Sequence, residues 1–295
     1  MAAVVDRAAV HEGRSPIGEH SLLPDTGAVQ GGFALVARDG AAVAGFARAA
    51  PARGGRAVPT RMAAELVVDP GHRGRSIGRR LLDALAAEAS SMGAARVELW
   101  AHHADAACAA LVDSFGMRAT RGLWQLSLRL DSVPSGLRRE PLPDGTRLRT
   151  FRDGDEDEIV ALVRAAFPEH PENATWTRAD LDERLRTPWF DRSALLVAEE
   201  DAAERMLGLH WMKLEAGGTA GEVYMLGIAP GAQHHGLGRT LLLEGLAEMR
   251  RRGVGLAYLY VEADNDAAIN LYRQAGFRHA HLDTCYSLDL DPPAD

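Results

Sequence analysis

The stretch GEVYMLGIAPGAQHHGLGRTLLLEGLAEMRRRG, residues 221–253, decides the fold. Its first part, 222–228, is an apolar run with β-branched and aromatic members, the make-up of a buried strand. Residues 230–238 hold Gly231, Gly236 and Gly238 and read as a turn. Across 240–252, Leu241, Leu242, Leu246 and Met249 recur at helical spacing. A glycine-rich turn between a strand and a helix N-terminus makes an anion site. The turn's N–H groups lack intrahelical partners, and the helix dipole adds positive potential there.

Working outward, the same order has already occurred once. Displacing the chain by 160 residues sets Leu66 on Leu226, Pro70 on Pro230, Gly78 and Arg79 on Gly238 and Arg239, and Leu81 and Leu82 on Leu241 and Leu242. Gly93, Leu111 and Gly116 then fall on Gly253, Leu271 and Gly276. Over residues 65–118 the ungapped match gives 15 identities in 54, against roughly five for a composition this biased. The chain is a tandem duplication. Two copies are too few for a solenoid, so each is expected to carry its own core.

The expected organisation is an N-terminal domain over 1–130, a linker over 131–145 with Pro134, Gly136, Pro141 and Pro143, and a C-terminal domain over 146–295. The first 30 residues are weakly patterned, with a short helix near the start. In the first copy, 33–36 and 43–47 read as a hairpin around Asp39-Gly40, and 62–68 as a strand before a turn at 69–78. A helix over 79–91, a strand over 97–101, a helix over 105–114 and a strand over 123–130 complete it. The second copy opens with a strand at 147–152, and the acidic run 153–158 caps a helix reaching Phe167. A helix over 178–186 and strands over 195–199 and 208–214 lead into the opening stretch. The expected fold class is α/β, each domain a mixed, twisted sheet flanked by helices.

Composition bounds the function. With 295 residues, 25% charged and 46% hydrophobic, the chain is of the globular type. A net charge of −8 and the lack of a basic block argue against nucleic acid as a partner. No apolar run approaches the ~20 residues of a spanning helix, so no membrane is expected. The start of the sequence, acidic and without a long apolar core, does not read as a signal peptide. Cys108 and Cys285 have neither metal nor disulfide spacing, which fits a reducing cytoplasm. The pairs His234-His235 and His102-His103 lack Cys or acidic partners at ligand spacing, so no metal is expected. Lys213 is the one lysine in the sequence, and the chain is expected to act as a monomer.

Two blocks carry a resemblance. Gln233-His234-His235-Gly236-Leu237-Gly238 fits Q/R-x-x-G-x-G/A, and Asn265-x-x-Ala268-x-x-Leu271-Tyr272-x-x-x-Gly276-Phe277 follows in order and spacing. Gly236 and Gly238 let N–H groups approach phosphate oxygens without interference from a Cβ. A dinucleotide fingerprint would want a third glycine where Leu241 stands. The blocks resemble those of the GCN5-related N-acetyltransferases (GNAT), which implies two tandem acyl-CoA N-acyltransferase domains with acetyl-CoA as cosubstrate. Further segments resemble one tandem branch of that superfamily, the mycothiol synthases. They are PIGEHSLL (16–23), AFPEHPENATWT (166–177), TPWFD (187–191), GLHWMKL (208–214), GEVYMLGI (221–228), LYVEADNDAAINLY (259–272) and DTCYSL (283–288). This second resemblance implies acetyl transfer to the cysteinyl amine of desacetylmycothiol, a cysteinyl-glucosaminyl-inositol thiol, in the last step of mycothiol biosynthesis.

By that resemblance Glu19, Glu172, Lys213, Glu222 and Tyr260 contact the acceptor. Acetyl-CoA is held by Leu226, Gly227 and Ile228, by Gln233, His234, His235, Gly236, Leu237, Gly238 and Arg239, and by Asn265, Asp266, Ala267, Ala268, Ile269 and Asn270. In the first copy the matching cofactor positions are Leu66, Val67 and Val68 with Gly74, Arg75, Ser76, Ile77, Gly78 and Arg79. That copy departs from the pattern. Ser76 replaces the first glycine, Asp105 stands for Asn265, and Val112 occupies the place of Tyr272. It reads as catalytically degenerate while keeping a phosphate nest to which Arg73, Arg75 and Arg79 add charge.

The chemistry also follows from the residues. An α-amine with a pKa of ~7.7–8 arrives mostly protonated and must lose a proton before it attacks a thioester. Glu222, at the start of the strand, is placed to act as base, directly or through water. The Leu226 N–H suits an oxyanion, and the Tyr272 hydroxyl suits protonation of a departing thiolate. Plainer readings stand beside these: Glu222 as a solvated strand-end carboxylate, Tyr272 as a packing aromatic, Lys213 as a surface lysine. Trp176, Trp189 and Trp211 read equally as core or as the wall of a sugar site. Alternative functions are acetylation of another amine, such as a peptide N-terminus or an aminoglycoside, and non-enzymatic acyl-CoA sensing.

Overall fold

The computed structural model describes residues 1–18, 31–52, 61–102, 105–131, 141–170 and 173–290. Glu19, Glu172, His103 and most of the expected linker lie outside them. The chain divides into two compact units, one formed by Met1–Leu123 with the chain from Leu282 onward, the other by Trp124–His281.

The first unit contains α1 (Ala2–Glu12), β1 (Phe33–Asp39), β2 (Ala42–Pro51), β3 (Arg61–Val68), α2 (Ile77–Ser91), β4 (Arg96–Ala101) and α3 (Ala106–Ser114). The expected hairpin is there, β1 running antiparallel to β2 around Gly40. The second unit contains β6 (Thr146–Thr150), α4 (Glu156–Ala166), α5 (Arg178–Leu185), β7 (Leu195–Glu200), β8 (Met206–Leu214), β9 (Ala220–Ile228), α6 (Leu237–Arg251), β10 (Leu256–Glu262) and α7 (Asp266–Gln274). The helix starts are chemically marked. Glu156, Asp157 and Glu158 fill the first turn of α4, and Thr177 and Asp180 close a capping box on α5.

The units follow the two repeats except at their last strands. Each of β5 (Arg118–Arg129) and β11 (Arg278–Asp289) changes unit partway along its length. The sheet of the first unit runs β1-β2-β3-β4-β11, with Thr284 to Asp289 antiparallel to β4. That of the second runs β6-β7-β8-β9-β10-β5. The residues of β5 from Trp124 on therefore complete the sheet of the second repeat, and Leu126, Leu128 and Leu130 enter its core. The end of β11 returns the exchange.

The sheet of the second unit has two apolar faces. One packs α4, α5, Trp176 and Trp211, and the other packs α6 and α7. Within β9 one residue is extra, since Trp211 pairs with Met225 and Met212 with Val223, leaving Tyr224 as a bulge. Val223 therefore enters the α6–α7 core, while Tyr224 and Met225 both face α4 and α5. Upstream of the bulge the strand's faces are reversed, which sends Glu222 to the α4–α5 face. The first repeat has no such bulge between β2 and β3.

Candidate active site

The parallel pairing of β9 with β10 runs from Ala220 opposite Leu256 to Glu222 opposite Tyr258 and stops there. β8 stays paired with β9 as far as Ile228. Just beyond, the Ala229 N–H donates to the Leu207 carbonyl at 2.9 Å. Hydrogen-bonded pairs alternate along an antiparallel ladder. Counting back from Ala229, the N–H and C=O of Ile228 and Leu226 point away from β8, toward the side that β10 has left. Gln233 Nε2 donates to the Ile228 carbonyl there at 3.1 Å. The Leu226 N–H opens into the same gap.

Beyond Ile228 the chain makes the turn expected from sequence. His234 (φ 65°) and Gly236 (φ 81°) both adopt the left-handed region. Thr240 N–H to Gly236 C=O, at 3.0 Å, is the first helical bond of α6. The backbone N–H groups of Leu237 and Gly238 precede it at the helix start, a position that suits an anion. The first repeat has the same shape with the residue types exchanged, Gly74 (φ 74°) for His234 and Ser76 (φ 60°) for Gly236. Ser76 therefore costs the first turn nothing in conformation that His234 does not cost the second. The expected extra charge is smaller. Arg73 is bonded to Glu12 and to the Val68 carbonyl, Arg75 to Asp39, and Arg79 lies over the Phe115 ring.

Asn265 is the N-cap of α7, its side chain accepting from the Ala268 N–H at 3.1 Å. Asp105 does the same for α3, accepting from Cys108 N–H at 2.7 Å, so the exchange of Asn for Asp preserves the cap. Tyr272 is buried in the α6–α7 core, edge-on to Phe277 at 5.8 Å, with Leu226 packed against the same cluster. Burial alone pushes its phenol up to about 12. Its counterpart Val112 is buried in the first unit's core.

The opposite face of the β9–β10 pair carries residues expected from sequence to meet the acceptor. Glu222 is 9% exposed, and Lys213 Nζ lies 3.7 Å from its Oε2. Glu222 pairs in register with Lys213 on one side and Tyr258 on the other. Lys213 Nζ sits 5.3 Å over the Trp189 ring, which meets Tyr224 at a tilt of 55° with centroids 4.9 Å apart, and the Tyr224 hydroxyl accepts from Arg184 Nε at 2.8 Å. Burial, then the Glu222 charge and a hydrogen bond to Glu215, raise the Tyr258 phenol well above its ordinary value. Tyr260, 39% exposed, accepts from Gln125 Nε2 at 2.9 Å. Glu262 ends the strand 3.9 Å from His170 Nε2.

Of the residues expected from sequence, Lys213, Glu222 and Tyr260 share this face, while the Leu226 and Tyr272 side chains belong to the α6–α7 cluster on the other. Of the three tryptophans, Trp176 and Trp211 are core and Trp189 alone meets Lys213. Sequence reasoning missed Tyr224, Arg184, Tyr258, Gln125, His170 and Glu262. Tyr258 and Glu262 alternate with the expected Tyr260 in LAYLYVE, and that alternation was the signal available for two of them. The place of Glu222 in the first repeat falls to Ala63, opposite Glu98 as Glu222 is opposite Tyr258.

Parted strands that free a backbone N–H beside an anion-binding helix end suit a thioester whose carrier bears phosphates, the requirement of an acyl-CoA-dependent transferase. The chain belongs to the acetyltransferase (GNAT) family, whose model matches residues 8–117 and again 153–277. Its relatives include the mycothiol acetyltransferase of Clavibacter sepedonicus, 42% identical over 96% of this chain and 90% of that protein. Those of Thermobispora bispora and Nocardia farcinica are 40% and 39% identical, over 96% and 95% of this chain and 93% and 90% of theirs. Two solved structures share the fold along its whole length. A GCN5-related N-acetyltransferase from Sphaerobacter thermophilus gives a TM-score of 0.75 at 22% identity, covering 100% of this chain and 93% of its own. A tandem GNAT protein of the clavulanic acid biosynthesis pathway gives 0.77 at 20%, covering 99% and 94%.

Proposed function

We propose that this chain transfers the acetyl group of acetyl-CoA to the cysteinyl amine of cysteinyl-glucosaminyl-inositol, completing mycothiol, and that the C-terminal repeat performs the reaction. The observation that carries the proposal is the pairing of a freed Leu226 N–H on one face of the β9–β10 gap with the Glu222–Lys213 ion pair on the other. The relatives named mycothiol acetyltransferase supply the acceptor.

The residues fit acetyl-CoA. The left-handed backbone at His234 and Gly236 aims N–H groups outward at the start of α6, where a pyrophosphate would be held. Bound there, acetyl-CoA supplies an activated acetyl thioester. The Leu226 N–H donates to the oxygen on which negative charge develops. Glu222, oriented by Lys213, takes the proton of the incoming amine directly or through a water. Tyr272, kept protonated by burial, has a proton to give to the leaving sulfur at neutral pH. Lys213, Tyr260, Glu19 and Glu172 bind the acceptor. Trp189 and Tyr224 back Lys213 and fix its direction.

The N-terminal repeat keeps the turn at Gly74 and Ser76, so Leu66, Val67, Val68 and residues 74–79 bind acetyl-CoA without turning it over. Ala63 offers no base and Val112 no acid. Cys108 and Cys285 are free thiols, which suits a reducing cytoplasm. Among the described residues no helix is long and apolar enough to cross a membrane.

Site-directed change tests the assignment. Glu222→Gln and Tyr272→Phe are each expected to lower kcat by about 10² to 10⁴, with the dissociation constant for acetyl-CoA unchanged. Wild-type turnover in either would remove that residue from the mechanism.

A further inference from the structure

A base that takes a proton in each turnover must give it up before the next. Glu222 is 9% exposed, and its ion-pair partner Lys213 carries donors only. The strand register supplies another neighbour. Lys213, Glu222 and Tyr258 stand in one row across β8, β9 and β10. In the row before it the Glu215 N–H donates to the Ala220 carbonyl at 3.1 Å, and Ala220 pairs with Leu256. Alternation puts both rows on the same face. Ala220 ends at its Cβ, which leaves the diagonal from β10 across β9 open. The Tyr258 hydroxyl crosses it to a hydrogen bond with Glu215, and Glu215 is exposed. From the other side Tyr260 meets the Tyr258 ring edge-on, with centroids 6.1 Å apart.

The first repeat has none of this row. Ala63 stands for Glu222, Glu98 for Tyr258 and Arg61 for Ala220. Arg61 fills the diagonal and its Nη1 donates to Glu98 at 3.1 Å. The phenol and the open diagonal are thus absent from the repeat that lacks a carboxylate at the strand start.

We propose that Tyr258 is a positioning residue for acetyl transfer, joining Glu222 to the exposed Glu215 so that the proton taken from the amine reaches solvent. The proton leaves the Glu222 carboxyl for Tyr258 Oη while the Tyr258 hydroxyl proton passes to a Glu215 oxygen. Glu215 then gives it to water, and the Tyr258 hydroxyl turns back toward Glu215. Burial, then the Glu222 charge and the Glu215 bond, keep the phenol from ionising, so it accepts one proton as it gives another. This inference rests on the proposed function for Glu222 as the base, and not for the identity of the amine.

Two experiments on the full chain test it. The first needs no turnover. With ¹³C at the ζ carbons of the five tyrosines, the signal missing from Tyr258→Phe is that of Tyr258. The titratable groups that face it are Glu222 on β9, Glu215 after β8 and Tyr260 on its own strand. As pH is lowered its shift is expected to move in two steps, one lost in Glu222→Gln and the other in Glu215→Gln. A signal that Glu222→Gln leaves unchanged overturns the link. The second experiment follows acetylation. Tyr258→Phe and Glu215→Gln are expected to lower kcat by about tenfold or more, with the KM for acetyl-CoA unchanged. Added imidazole should restore the rate, since a diffusible base replaces the outlet. Wild-type kcat in Tyr258→Phe, or a loss that imidazole does not restore, overturns the proposal. Two steps in a chain that leaves cysteinyl-glucosaminyl-inositol unacetylated keep the link and remove the proposed function. Acetylation by a chain whose Tyr258 ignores Glu222 does the reverse.

Discussion

His210 lies wholly inside the second unit, its Nδ1 2.8 Å from the Leu241 carbonyl in α6. Burial lowers its pKa from 6.5 to about 4. The unfolded chain binds its proton at the ordinary value, so between these limits the unfolded state holds more protons. Stability is therefore expected to fall as pH drops from 6.5 toward 4, by about 3 kcal/mol for this group alone. Urea midpoints measured across that window check it, with His210→Leu expected to flatten the slope. The paired carboxylates of Glu199 and Asp191 titrate below their ordinary values and act only at lower pH. At this scale the candidate site could be read from sequence where its residues share a strand pattern. Glu222, Lys213 and Tyr260 stand in strands whose alternation puts them together. Arg184 and His170 reach the same face from a helix and a loop whose docking no short-range pattern describes.

The elements around the site are set by a few backbone choices. The turn at 233–238 could be read because a left-handed residue ordinarily selects glycine. In the first repeat Ser76 replaces a glycine in a turn still expected to hold a phosphate, and Gly74, two residues earlier, takes the left-handed place that His234 fills in the second, which only the dihedral angles reveal. The Tyr224 bulge was not legible. Every residue from Val223 to Ile228 is apolar or glycine, so an inserted residue disturbs no alternation. That bulge nevertheless turns Glu222 toward the α4–α5 face, where Lys213 lies. The seating of α6 is as exacting. A Cβ on Gly245 would fall 2.0 Å from the His210 ring. Gly245→Ala is expected to cost about 1–3 kcal/mol by overpacking and, by shifting α6, to weaken acetyl-CoA binding. Thermal melts and a cofactor titration on the same variant test both parts.

At the scale of the molecule the duplication was plain in the sequence and the exchange of last strands was not. β5 and β11 occupy equivalent places in the repeats, and each presents the same pattern to either sheet, so pattern alone cannot say which one it completes. The two repeats are expected to respond unequally to the same change. Alanine at Gly238 would sit 3.4 Å from Ile228 Cγ1, and at Gly78 3.5 Å from Leu111 Cδ2, ordinary contacts in both cases. Any loss therefore reports the approach of the cofactor. Gly238→Ala is expected to raise the KM for acetyl-CoA by about tenfold or more, and Gly78→Ala to leave turnover nearly intact. Equal losses would contradict the division of labour between the repeats. The central claim is tested most directly by incubating the chain with acetyl-CoA and cysteinyl-glucosaminyl-inositol and identifying the product by mass and NMR. The account requires one acetyl group on the cysteinyl nitrogen, a free thiol, and one CoA released per product. No product, or acetylation at the same rate of a plain peptide amine or an aminoglycoside, would contradict it.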